Sequence, residues 1–255
     1  MPSAEIIAIG SELLLGETQD TNTQFLLRML RDRGIDVYRT MIIGDNAKKI
    51  AAVIKEGLSR SDIIITTGGL GPTVDDPTRE AAALAFDSKL VFDEALWREI
   101  LVYFDKMKRK SSENNKRQAY LPEAAKPIPN EVGTAPAFYI RQNGKLLISL
   151  PGVPHEMKHI TGAYVIPLLQ ELYPKDETIV VRTLHTYGLG ESVVDELIGD
   201  LETSANPTLG LSAKAGQIDL RITAKGVSPQ AANRLIDDFE KTIRERLGHN
   251  IFGSE

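Results

Sequence analysis

The sequence predicts an α/β protein: a three-layer α/β/α domain with a mostly parallel sheet, followed by a small α+β domain. Three observations point there. Residues 5–86 alternate short apolar strands with amphipathic helices, the order of a parallel sheet covered on both faces. The strands run into glycine-containing turns, and α/β proteins place their sites at those strand ends. Residues 175–255 change pattern, to strand, helix, two strands and helix.

Glu5–Gly10 is an apolar run closed by glycine and predicts the first strand. Phe25, Leu26, Met29 and Leu30 recur at helical spacing within 21–33, and Gly34 ends that helix. A second strand is predicted over 37–43, and Ile50, Val53, Ile54 and Leu58 predict a helix over 47–58. Residues 62–67, with Ile63, Ile64 and Ile65 in a row, predict a third strand buried on both faces. Helices follow over 77–86 and from an Asp93 cap to the neighbourhood of Met107. Gln142-Asn143-Gly144 between apolar runs predicts a hairpin, because Asn-Gly accepts positive φ. Pro154 suits the first turn of a helix reaching Leu172. Tyr173-Pro174-Lys175-Asp176 marks the boundary, giving domains of residues 1–174 and 175–255. The second holds strands over 178–186, 209–212 and 218–224, with helices over 192–201 and 229–247.

Composition narrows the function classes. With 42% hydrophobic and 25% charged residues, a chain of 255 is ordinary for a globular protein. No apolar run approaches the ~18–20 residues of a bilayer span, and the N-terminus lacks the basic stretch of a signal peptide. A cytoplasmic protein with no membrane partner is expected. The absence of cysteine excludes disulfides and thiol chemistry. Residues 175–255 carry 9 Lys and Arg against 13 Asp and Glu, leaving 21 against 22 in residues 1–174. That balance argues against a nucleic-acid partner.

The most informative stretch is Thr66-Thr67-Gly68-Gly69-Leu70-Gly71-Pro72-Thr73-Val74-Asp75-Asp76. It leaves the third strand and enters a helix, so its glycines offer backbone N–H groups to an anion. It lacks the Gly-Lys-Ser/Thr ending of a P-loop and the third glycine of a dinucleotide fingerprint. Asp75 and Asp76 repel an anion unless a cation intervenes, which suggests a metal-bridged phosphate ester. The alternative is that one of them caps the helix. Gly10-Ser11-Glu12 leaves the first strand at the same sheet edge, where Glu12 can meet ligand hydroxyls. Asp20 and Asn22 can cap the next helix, and Asn22 can instead contact ligand. Asp45, leaving the second strand, is either the N-cap of the following helix or a third carboxylate beside Asp75 and Asp76. Three such acids would make a hard-cation site of the Mg²⁺ type. Gly133 and Thr134 form a further loop of small residues. Pro151 and Gly152 lead into a helix whose first turn holds Glu156, favouring the helix dipole or contacting ligand.

Taken in order, these segments resemble a known family. Gly10-Ser11-Glu12-Leu13-Leu14-Leu15-Gly16 with Asp20-Thr21-Asn22, the glycine stretch, Gly133-Thr134-Ala135-Pro136-Ala137-Phe138 and Leu150-Pro151-Gly152-Val153-Pro154-His155-Glu156-Met157 look like the CinA family of competence/damage-inducible proteins. Tyr187-Gly188-Leu189-Gly190-Glu191-Ser192 fits the family's motif at the start of its second, KH-like domain. The likeness covers nearly the whole chain. It implies a molybdopterin-binding-like α/β domain with a KH-like appendage, and a homodimer.

The resemblance also implies chemistry. Family members of this architecture are ADP-ribose pyrophosphatases that need a divalent metal (Mg²⁺, Mn²⁺ or Co²⁺) and are helped by K⁺. A related domain in eukaryotic FAD synthases hydrolyses FAD. On this reading Gly68, Gly69, Gly71 and Thr73 hold the diphosphate of a small-molecule nucleotide, and Asp45, Asp75 and Asp76 hold the ion. Gly10, Glu12, Asn22, Thr67, Gly133, Thr134, Pro151, Gly152 and Glu156 complete the substrate wall. Molybdopterin adenylylation, and nucleotide binding without turnover, are the competing expectations. Many full-length members carry a further domain that deamidates nicotinamide mononucleotide. This chain stops near where that domain would begin, so amidase activity is not expected in it. RNA-binding KH domains need a Gly-x-x-Gly loop, and Gly188-Leu189-Gly190 has the wrong spacing, so the KH likeness is expected to be architectural.

Overall fold

The computed structural model describes residues 2–174 and 178–255; Lys175 and Asp176, on which the expected boundary falls, lie outside the described residues. Two compact units are present, one of residues 1–31 and 35–174, the other of 32–34 and 175–255.

The first unit begins with β1 (Ser3–Ile9), the single turn α1 (Ser11–Leu14), α2 (Thr21–Arg31), β2 (Asp36–Ile43), α3 (Ala47–Arg60) and β3 (Ile63–Thr67). It continues through α4 (Thr78–Ala85), β4 (Leu90–Phe92), α5 (Glu94–Lys106), a 3₁₀ helix (Glu113–Ala119), β5 (Tyr120–Pro122) and β6 (Lys126–Ile128). The hairpin β7 (Ala137–Gln142) and β8 (Lys145–Leu150) then leads to α6 (Pro154–Ile160) and α7 (Ile166–Leu172). The six-stranded sheet has the order β2-β1-β3-β8-β7-β6. Its first four strands are parallel, and β7 runs antiparallel between β8 and β6.

Alternation along the strands divides the core in two. Ile7, Ile9, Ile64 and Leu147 pack on Ile50, Ile54, Ala82 and Ile100 of α3, α4 and α5. Ile6, Ile63, Ile65 and Ile148 pack on the other face, against Leu26, Leu30, Met157 and Leu169 of α2, α6 and α7. Both faces are therefore covered, which is why these strands read as unbroken apolar runs. The α/β/α layering expected from the sequence is the layering observed.

Local signals act as anticipated at several points. The Asp93 side chain accepts from Leu96 N at 3.0 Å and caps α5. Asn143 and Gly144 take φ of 52° and 76° at the hairpin tip. Other elements depart from expectation. The pattern shows no sign of β4, β5 and β6, three residues each, because so short a strand has no readable period. The helix predicted over 154–172 is interrupted by a π turn at Thr161–Val165.

The second unit comprises β9 (Thr178–Tyr187), α8 (Glu191–Ile198), β10 (Thr208–Lys214), β11 (Gln217–Gly226), α9 (Pro229–Leu247) and β12 (Ile251–Ser254). Its antiparallel sheet has the order β10-β11-β9-β12. Leu184, Leu220 and Ile222 are buried with Val194, Ile198, Ile236 and Ile243 of its helices. The terminal strand β12 was not anticipated, being only four residues long.

Candidate functional site

Strand order creates the site. β1 lies between β2 and β3, so the connection to β2 departs to one side while the chain after β3 travels to the other. Loops that diverge at such a switch point leave a crevice beyond the carboxyl ends of the strands. A cavity of about 500 Å³ occupies that place. Gly10 and Glu12 enter it after β1, Asp45 after β2, and Gly68, Gly69, Gly71, Thr73, Asp75 and Asp76 after β3. Pro151, Gly152 and Glu156 enter after β8, and Thr134 comes from the loop before β7.

The remaining expected residues stand directly behind this wall. Asn22, buried in the first turn of α2, donates through Nδ2 to Thr67 Oγ1 at 2.9 Å and to Gly152 O at 2.8 Å. Thr67 Oγ1 itself donates to Pro151 O at 3.1 Å, which fixes the direction of the Asn22 amide. Asn22 Oδ1 is then left buried with no protein partner. A buried carbonyl oxygen without a donor is costly, and Asn22 itself stands behind the residues that line the cavity. Gly133 lies under Glu156, where a Cβ would come within 2.2 Å of the carboxyl carbon. In the same way a Cβ on Gly71 would meet Asp76 Oδ2 at 2.4 Å. Glycine at both positions lets an acid lie against bare backbone without having to shift.

Several sequence readings are corrected. Asp45 is not the N-cap of α3: Asn46 is, accepting from Lys49 N at 3.1 Å. Asp45 instead accepts from Ser11 N at 2.9 Å and so ties the loops after β1 and β2 together. Neither Asp75 nor Asp76 caps α4, whose N-cap is Pro77. Asp76 turns back on its own loop, taking Thr73 N at 2.8 Å and Thr73 Oγ1 at 2.7 Å. Asn22 does not cap α2 either; Asp20 does, through Thr23 N at 2.9 Å. Asp45, Asp75 and Asp76 line one crevice, yet they do not form a closed cage. Among the described residues no three acidic, imidazole or thiol side chains gather closely enough to hold an ion. Asp45 is drawn toward Ser11 and Asp76 toward Thr73, and Asp75 is exposed.

Burial raises the pKa of Glu156 above the ordinary value, against the opposing hydrogen bond from Asn130 Nδ2 at 2.6 Å and the field of His155.

Sequence reasoning missed three residues. Gln118, 1% exposed in the 3₁₀ helix, lines the crevice and donates to Thr134 Oγ1 at 3.2 Å. Thr78 and Arg79 open α4 behind the glycine loop, and both are buried. The sequence carried no signal for Arg79, because its burial, unusual for an arginine, shows only in the fold.

A parallel α/β/α domain with a glycine-lined crevice at its switch point, joined to a small antiparallel α+β unit, defines a class: the molybdopterin-binding type of domain with a KH-type appendage. Comparison with known proteins agrees. Residues 5–171 match the model of a probable molybdopterin binding domain, and residues 181–253 match the KH domain of damage-inducible protein CinA. A curated relative named as a competence-damage inducible protein, from Clostridium acetobutylicum, is 42% identical over 98% of this chain and 60% of its own length. Another, from Clostridium kluyveri, is 43% identical over 99% of this chain and 62% of its own. A crystal structure of a CinA protein of unknown function from Thermoplasma acidophilum superposes with a TM-score of 0.61 at 33% identity. The match covers 66% of this chain and 98% of that one. The chain belongs to the CinA family. It spans about three fifths of the length of the curated relatives it matches.

Proposed function

We propose that the crevice binds a nucleoside diphosphate derivative and hydrolyses its P–O–P linkage, with ADP-ribose the substrate that the family likeness favours. The observation that carries this reading is the meeting of a glycine loop with Glu12, Asp45, Asp75, Asp76 and Glu156 in one cavity. A site that only gripped phosphate would have little use for so many carboxylates. Asp45, Asp75 and Asp76 are the residues that would hold a divalent ion, which when bound neutralises phosphate charge and favours deprotonation of water.

The chain's own groups then do the following. The N–H groups of the glycine loop orient the diphosphate, and Thr73 holds Asp76 beside it. Glu12 accepts from sugar hydroxyls, and Asn22 braces the Thr67 and Gly152 wall behind them. Glu156, whose pKa burial raises, holds its proton more readily than an exposed carboxyl and can exchange it through a carboxylate oxygen. Water adds to one phosphorus, the bridging P–O bond breaks, and AMP and ribose 5-phosphate leave.

A chromatographic assay for AMP tests this, offering ADP-ribose, FAD, NAD and CoA with Mg²⁺, Mn²⁺ or Co²⁺, or with EDTA. AMP from one substrate, dependent on the ion and lost in Asp76→Ala with the fold intact, is the expected result. An active Asp76→Ala protein would sink the role given to that carboxylate. A second reading, molybdopterin binding, is favoured by the domain match over residues 5–171. It predicts tight pterin binding and no AMP from any of the four compounds.

A further inference from the structure

Thr78 and Arg79 are 0% and 2% exposed, and neither lines the crevice. Together they hold four successive carbonyls of the glycine loop. Thr78 Oγ1 donates to Gly68 O at 2.7 Å and Thr78 N to Gly69 O at 3.1 Å. Arg79 donates through Nη2 to Leu70 O and through Nη1 to Gly71 O at 3.1 Å.

A trans peptide directs its C=O and the next N–H to opposite sides. With the carbonyls of residues 68, 69 and 70 drawn toward α4, the N–H groups of Gly69, Leu70 and Gly71 are turned the other way. Gly69, Leu70 and Gly71 all line the crevice. The arginine adds charge to this geometry. Burial lowers its pKa to about 10, which still leaves the guanidinium protonated at neutral pH. Its direct partners are neutral carbonyls, its Nε has no partner, and the fields of Glu80 and Asp76 are opposed by Arg117. A buried cation without a carboxylate in contact is expensive, and an apolar side chain would pack there at less cost. An anion across the loop would offset that expense.

We infer that Arg79 is the positioning residue for a phosphate anion in the crevice: it aims three loop N–H groups into the cavity and places a fixed positive charge behind them. This inference rests on the phosphate-binding half of the proposed function and not on hydrolysis.

The test is titration with inorganic pyrophosphate, with and without Mg²⁺, by calorimetry and by amide NMR. In the wild-type protein the amide protons of Gly69, Leu70 and Gly71 should shift on binding. Unmoved amides would overturn the inference without any variant having to fold. Arg79→Met should weaken pyrophosphate binding by roughly tenfold or more, and Arg79→Lys should recover part of it through charge. A purely structural arginine would instead lower the melting temperature and leave the dissociation constant of the folded fraction unchanged. That outcome also overturns the inference. Pyrophosphate binding through these amides with no AMP from ADP-ribose would retire the proposed hydrolysis and leave the role of Arg79 standing.

Discussion

At Glu156 two effects oppose each other, and burial exceeds the hydrogen bond from Asn130. The folded protein therefore holds a proton on this carboxyl more tightly than the unfolded chain, whose value lies near 4.5. Its ionised form costs stability above the raised folded pKa, and the cost vanishes below the unfolded one. Glu156→Gln should be more stable than the wild type at about pH 8 and equal to it by about pH 4, as urea denaturation across that range would show. Gly68 is a second decisive residue. Its φ is 108°, and a Cβ there would sit 2.0 Å from Ile9 O. Gly68→Ala should cost about 2–3 kcal/mol in the same measurement. The glycines were legible in the sequence, because a strand-to-helix turn of that kind has few other solutions. The partners of Asp45, Asp76 and Asn22 were not, because adjacent candidates such as Asp45 and Asn46 offer a helix the same chemistry. Only the backbone angles at the turn select between them.

Among the elements, caps and turns make the sharpest claims. Asn46, with extended φ and ψ of −132° and 109°, caps α3 through Lys49 N. Asn46→Ala should remove about 1 kcal/mol of stability in thermal or urea unfolding. At the hairpin, Asn143 has a φ of 52°, which a β-branched side chain tolerates poorly. Asn143→Val should cost about 1–2 kcal/mol, and Asn143→Gly should cost less. The long elements were legible because their periods of two and 3.6 repeat often enough to be read. The three-residue strands and the 3₁₀ helix over Glu113–Ala119 were not, since local pairing rather than pattern makes them. That gap hid Gln118 from view, although it lines the crevice.

For the whole molecule, the cores are apolar on both faces of the six-stranded sheet and contain none of the acids of the crevice. EDTA should therefore abolish the turnover proposed for this protein while leaving its melting temperature unchanged; a large fall in melting temperature would mean that the ion is structural. Among the described residues no helix is long and apolar enough to cross a membrane. By itself the sequence determined the α/β class, the main strands and helices, and the glycine loop, because burial on one or two faces is written in local residue periods. The tertiary structure alone decided how that loop is used. It brought Asn22 to Gly152, 130 positions away, set Thr78 and Arg79 behind four carbonyls, and turned Asp76 onto Thr73. Strand order brings Asn22 to Gly152 and follows from packing between distant segments, whereas the turn after β3 sets the other contacts; no local period records either.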